Sequence, residues 1–159
     1  ALTPAPASLT ADGGDPLVLR GDIRIDASGD AAPVGALLAE DLRSLTRAAI
    51  SEAGGAGAQI VLRIADVPAL DGDGTGEGYR LTVTGSAATI EAPTPHGLWN
   101  GSETLKQLLP ATATGAALTV PAVTITDYPR YAYRGLMLDI ARHFRTPEEV
   151  MALIDAAAG

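Results

Sequence analysis

Short runs in which apolar and polar residues take turns fill most of the first 126 residues, and two longer stretches carry a helical repeat instead. Leu17 to Asp26 predicts one or two short strands. In it Ile23 and Ile25 alternate with Asp22, Arg24 and Asp26, as on a strand with one face in water, and Arg20-Gly21-Asp22 supplies a turn. Pro33 opens a helix expected to run to about Glu52, with Val34, Leu37, Leu38, Leu42, Leu45, Ala48 and Ala49 on one face. Asp41 falls inside that apolar arc and reads as an edge residue with its carboxylate in solvent. Gly54, Gly55 and Gly57 end the helix. Gln59 to Ala65 predicts a strand with Ile60, Leu62 and Ile64 on one side. Tyr79 to Thr84 and Ala87 to Ala92 predict a hairpin around Gly85-Ser86, with Tyr79, Leu81 and Val83 facing inward. A second helix starts at Thr94-Pro95 and stops at Pro110, burying Leu98, Leu105, Leu108 and Leu109. Gly97 and Gly101 beside that stripe allow its backbone to approach a sheet closely. Leu118 to Thr126 predicts a strand, or a pair of strands broken at Pro121.

That order predicts an α+β fold, a mainly antiparallel sheet with two helices packed on one face. Residues 16–126 form this domain, and residues 1–15, rich in Ala, Pro and Gly, read as a flexible linker. From 127 to 159 the pattern changes. Arg134 to Ile140 is an almost unbroken apolar run, suited to a strand buried on both faces. Thr146-Pro147-Glu148-Glu149 then provides an N-cap, a first-turn proline and a capping-box glutamate, followed by Val150, Leu153, Ile154 and Ala157 at helical spacing. A lone strand–helix unit cannot bury its own strand. It reads either as the last unit of a small α/β domain or as the first unit of a truncated (β/α)8 barrel, which takes about 250 residues in full.

Composition narrows the partners. The 159 residues carry a net charge of −8, which opposes nucleic acid and anionic membrane surfaces as partners. No membrane-inserting segment is visible. Without cysteine there is no disulfide and no thiolate metal site. Asp71, Asp73 and Thr75 resemble the first half of a calcium loop. The twelfth position is Thr82 rather than glutamate, so a solvated acidic loop is the better reading and no metal is expected. His143 has no ligand cluster around it, and no cofactor is implied. His96 and Trp99, at the start of the second helix, offer a sugar-stacking pair, although packing is the reading preferred.

The stretch Asp127 to Phe144, DYPRYAYRGLMLDIARHF, resembles the opening of the catalytic barrel of glycoside hydrolase family 20, the β-N-acetylhexosaminidases. Pro129, Arg130, Tyr131, Tyr133, Arg134, Gly135, Leu136 to Leu138, Asp139, Arg142, His143 and Phe144 carry the likeness. The segment GYRLTVTGSAATIEAPTPHGLWNGSETLKQLL is similar to the non-catalytic domain that precedes that barrel. The resemblance implies that 127–159 is the start of a truncated catalytic domain. It implies that the parent protein hydrolyses terminal N-acetylglucosamine or N-acetylgalactosamine with retention, the substrate's own acetamido oxygen attacking the anomeric carbon. It assigns Arg134 to binding the terminal sugar, against the alternative of an arginine paired with Asp139 or solvent. Asp139, Arg142 and His143 are candidates either for supporting the site or for holding the first strand–helix loop. That chemistry needs an adjacent Asp-Glu pair. The chain has none, so no catalytic residue is assigned and this piece alone is expected to be inactive. A secreted or cell-envelope parent that takes part in chitin degradation is implied in the same way. Leu136, Met137, Leu138 and Ile140 on an unpaired strand would favour self-association through 134–159. The competing readings are the leading domain of another glycosidase family, such as the α-glucuronidases or O-GlcNAc hydrolases, and a stand-alone carbohydrate-binding or scaffolding module.

Overall fold

The computed structural model describes residues 2–46, 48–52, 54–55, 57–70, 74–110 and 117–158. They fall into two units, Ala1–Pro129 and Arg130–Gly159.

The first unit is built on β1 (Ser8–Ala11), β2 (Leu17–Leu19), β3 (Asp22–Ala27), α1 (Ala32–Thr46), β4 (Ala49–Ser51), β5 (Ile60–Ile64), β6 (Tyr79–Val83), β7 (Ala88–Ala92), α2 (Pro95–Leu108), β8 (Leu118–Val120) and β9 (Val123–Asp127). Seven strands form one sheet in the order β1-β9-β6-β7-β5-β3-β4, and β2 pairs with β8 in a separate ribbon. Antiparallel ladders join β1, β9, β6 and β7, whereas β7, β5, β3 and β4 run parallel. With the antiparallel β2–β8 ribbon, antiparallel ladders predominate. The parallel half follows from α1, which carries the chain from the end of β3 back to begin β4 alongside it.

Register shows that both helices lie on one face. Ala27, Leu62, Ile90, Leu81 and Ile125 are successive cross-strand partners, so their side chains share a face. A Cβ on Gly35 of α1 would meet Ala27 Cβ at 2.5 Å, and one on Gly101 of α2 would meet Ile90 Cγ2 at 2.5 Å. The core fills this space with Ile25, Leu38, Leu42, Ile60, Leu81, Ile90, Leu98, Leu105 and Ile125, all buried. Burying each such side chain contributes about 1.5–3 kcal/mol. The hairpin matches its sequence pattern, with Leu81 opposite Ile90. In α2 the Thr94 hydroxyl accepts the Gly97 N–H at 3.2 Å, capping the helix at the expected start.

Four expectations change. Residues 1–15 are not wholly linker, because Ser8–Ala11 pairs with Thr126 to Val123 as an edge strand. Helix α1 stops at Thr46 rather than near Glu52. There the Thr46 hydroxyl donates to Leu42 O and accepts the Ala48 N–H, closing the turn and releasing Ile50 to pair in β4. The buried face of α1 is also rotated from the one predicted. Leu37 and Leu45 are 48% and 56% exposed, and Val34, Gly35, Leu38, Ala39, Leu42 and Thr46 are buried instead. Finally, Ile64, read onto one strand side with Ile60 and Leu62, is 40% exposed at the end of β5, whereas those two are buried.

In the second unit, α3 (Pro147–Ala158) forms as read, but Arg134–Ile140 is not a strand. A strand apolar on both faces is held by a ladder partner on each side. Among the described residues no strand pairs with 134–140.

Candidate functional site

The residues singled out for chemistry lie in 130–146, between the first unit's last strand and α3. Arg134 is exposed, and its Nη1 donates to the Tyr131 carbonyl at 2.7 Å. This ties one terminal nitrogen of the guanidinium to its own chain three residues back. Sequence reading missed the carbonyl partner, since a backbone acceptor leaves no residue-type signal. Asp139 does not pair with Arg134. Its Oδ1 accepts the Ala141 N–H at 2.9 Å and the Arg142 N–H at 3.2 Å, and its Oδ2 lies 3.6 Å from Arg142 Nε. Asp139 and Arg142 are therefore brought together. His143 and Phe144 follow on the same exposed loop.

The far end of the loop is tied by the capping box predicted from Thr146 and Glu149. The Thr146 N–H donates to Glu149 Oε2 at 3.1 Å, and the Glu149 N–H donates to Thr146 Oγ1 at 3.3 Å. Hydrogen bonding from its own backbone amide and from the Thr146 side chain holds the Glu148 carboxyl below its ordinary value, as suits an acid in a helix's first turn. Behind the loop, Leu136, Leu138, Val150, Leu153, Ile154 and Ala157 line an open apolar groove of about 360 Å³. These lining side chains are all apolar, a surface suited to packing.

The other candidates lie in the first unit. Trp99 is partly buried against the core, with Lys106 Nζ 5.4 Å from its ring centroid. His96 Nε2 lies 3.8 Å from Glu77 Oε2. Lys106 also meets Asp41 at 2.5 Å and Glu103 at 2.7 Å, so Asp41, its side chain 37% exposed as an edge residue's would be, is also half of an α1–α2 clasp. Burial alone would lower the Lys106 pKa. The bonds to Asp41 and Glu103 outweigh it, and the net shift is upward. Asp71 and Asp73 of the proposed calcium loop lie outside the described residues, and Thr75 accepts the Glu77 N–H at 3.1 Å. Among the described residues no group of three His, Cys, Asp or Glu side chains could hold a metal.

Comparison with known proteins places both units. Residues 1–128 match the model for glycosyl hydrolase family 20, domain 2, and residues 131–159 match that for the family 20 catalytic domain. A β-N-acetylhexosaminidase from Cellulomonas fimi is 36% identical over 99% of this chain and 32% of its own length. A β-hexosaminidase from Porphyromonas gingivalis is 40% identical over 52% of this chain and 11% of its own. The solved β-N-acetylhexosaminidase of Streptomyces coelicolor is 40% identical and matches with a TM-score of 0.80, over 96% of this chain and 31% of that one. A mutant Streptomyces plicatus β-hexosaminidase in complex with its product GlcNAc is 40% identical and matches at 0.78 over the same shares. The chain thus spans about a third of the length of the Cellulomonas fimi and Streptomyces coelicolor enzymes. With one family model covering most of the sequence and a second covering the remainder of the segment from 131, the chain belongs to glycosyl hydrolase family 20.

Proposed function

We propose that this chain is the leading part of a secreted or cell-envelope β-N-acetylhexosaminidase that removes terminal N-acetylglucosamine or N-acetylgalactosamine from chitin oligomers or glycoconjugates. The observation that carries the reading is the continuity of the likeness across the non-catalytic domain and into 131–159, where Arg134-Gly135 sits. It favours this reading over a stand-alone module or another glycosidase's leading domain. In the parent the acetamido oxygen of the substrate attacks the anomeric carbon as a glutamic acid protonates the departing glycosidic oxygen. A neighbouring aspartate orients the acetamide, and water then opens the cyclic intermediate with retention. The Asp-Glu pair for these roles is not in these 159 residues. What this chain contributes is binding. The Arg134 guanidinium, a fixed fork of donors, is suited to adjacent sugar hydroxyls.

In the parent, Arg134→Ala is expected to raise KM and lower kcat on a chromogenic N-acetylglucosaminide, with a loss of about 1.5–3 kcal/mol for hydrogen bonds from a charged donor. An unchanged melting temperature would accompany this. Wild-type kinetics in the variant would remove the sugar-binding role. The exposed Leu136, Met137, Ile140 and Phe144 also favour association of the isolated 159-residue chain with itself. Sedimentation at rising concentration tests this, and a monomer throughout would refute it.

A further inference from the structure

The loop from Asp139 to Thr146 is fixed at both ends by side-chain oxygens bonded to backbone amides. At its start one carboxylate oxygen, Asp139 Oδ1, takes two consecutive donors, the Ala141 and Arg142 N–H groups. At its end Thr146 and Glu149 exchange side-chain and backbone bonds. Between the two anchors stand Arg142, His143, Phe144 and Arg145, with Phe144 83% exposed. Charge contributes little at the first anchor. The Arg142 Nε to Asp139 Oδ2 distance is 3.6 Å, and the Arg142 side chain is 86% exposed, so solvent screens the pair. The amide bonds, at 2.9 and 3.2 Å, are shorter and local.

We infer that Asp139 is a positioning residue for the proposed sugar site, acting as an acceptor that folds this loop and not as a charge. The inference rests on the hexosaminidase reading above. It makes a distinction that residue type alone does not. A carboxylate that touches substrate or balances a cation needs its charge, whereas an amide acceptor needs only an oxygen at the same place. Asn supplies that oxygen without the charge, and Ala supplies neither.

The test compares Asp139→Asn with Asp139→Ala by two readouts. In the 159-residue chain, hydrogen exchange at the Ala141 and Arg142 amides is expected to stay slow in Asp139→Asn and to rise at least several-fold in Asp139→Ala. In the longer parent, Asp139→Asn is expected to keep kcat/KM within about three-fold of wild type across the pH range of activity. Asp139→Ala is expected to raise KM about ten-fold or more. An Asp139→Asn variant as impaired as Asp139→Ala, in an active parent, overturns the acceptor role and assigns the charge instead. An Asp139→Ala variant with normal KM and normal exchange overturns any positioning role. If the Asp139→Ala parent does not fold, the exchange comparison and the Asp139→Asn kinetics still decide. A wild-type parent with no activity on N-acetylhexosaminides overturns the functional reading itself, a result separable from the others because it precedes any substitution.

Discussion

Gly97 is where a single atom decides how close α2 comes to the sheet. A Cβ there would lie 2.3 Å from Gly78 O and 2.8 Å from Ala92 Cβ, and the backbone oxygen cannot move aside cheaply. Gly97→Ala should therefore destabilise the protein by about 1–3 kcal/mol, measured by denaturant unfolding. A neutral substitution would mean the helix sits farther out. Tyr79, buried below the same helix, donates to or accepts from Thr104 Oγ1 at 2.5 Å. Burial pushes its phenol up to about 12. A folded-state pKa above the unfolded value of about 10 means that the native state holds its proton longer. Its contribution is thus complete below pH 10 and is lost as pH rises from 10 through about 12, amounting to roughly 2–3 kcal/mol. Thermal melts across that range should fall more steeply for the wild type than for Tyr79→Phe, and parallel curves would contradict the assignment. The close approach at Gly97 was legible from its spacing with Gly101. The Tyr79–Thr104 bond was not, because nothing local in the sequence pairs residues on a strand and a helix.

At the scale of elements, what could be read was what is specified locally. The β6–β7 hairpin and α2 carry their own alternation, turn and cap, and they formed within a residue or two of the expected bounds. The exceptions share a cause, namely dependence on distant partners. Strand β1 lies in an Ala- and Pro-rich stretch and is ordered by β9, over a hundred residues on. Strand β4, three residues long, exists because Ile50 lies beside Ile23 on the sheet edge. The face of α1 turned because Asp41 reaches Lys106 on α2, leaving Leu37 and Leu45, four residues to either side of it, partly in solvent. The run Arg134–Ile140 shows the converse. Its composition says strand, but composition supplies no ladder. Helix α3 is fully specified by its own sequence and should respond to that alone. Thr146→Ala removes the acceptor for the Glu149 N–H and should cost about 1 kcal/mol of local helix stability. Amide exchange within α3 reads this directly, and unchanged protection would show that the capping box is idle. The same helix should also weaken in acid. The lowered Glu148 carboxyl contributes above its unfolded pKa, and that contribution is lost as pH falls through its folded value.

At the scale of the molecule, the two units have unequal means of holding themselves together. Residues 1–129 enclose a continuous core between one sheet face and two helices, whereas the apolar side chains of 134–140 stay exposed. The candidate site was legible as a motif, since Arg134, Asp139, Arg142 and His143 stand in a recognisable order. Its internal bonding was not, since the Tyr131 carbonyl and the loop amides carry no side-chain signature. The central proposal is that these residues belong to a hexosaminidase whose acid and orienting aspartate lie outside these 159 residues. The most direct measurement is hydrolysis of a chromogenic N-acetyl-β-glucosaminide by the 159-residue chain, set beside the longer polypeptide from the same gene. The longer polypeptide should release the chromophore and the 159-residue chain should stay at the buffer blank. Turnover by the 159-residue chain, or a longer polypeptide that carries an Asp-Glu pair and still shows none, would contradict the claim.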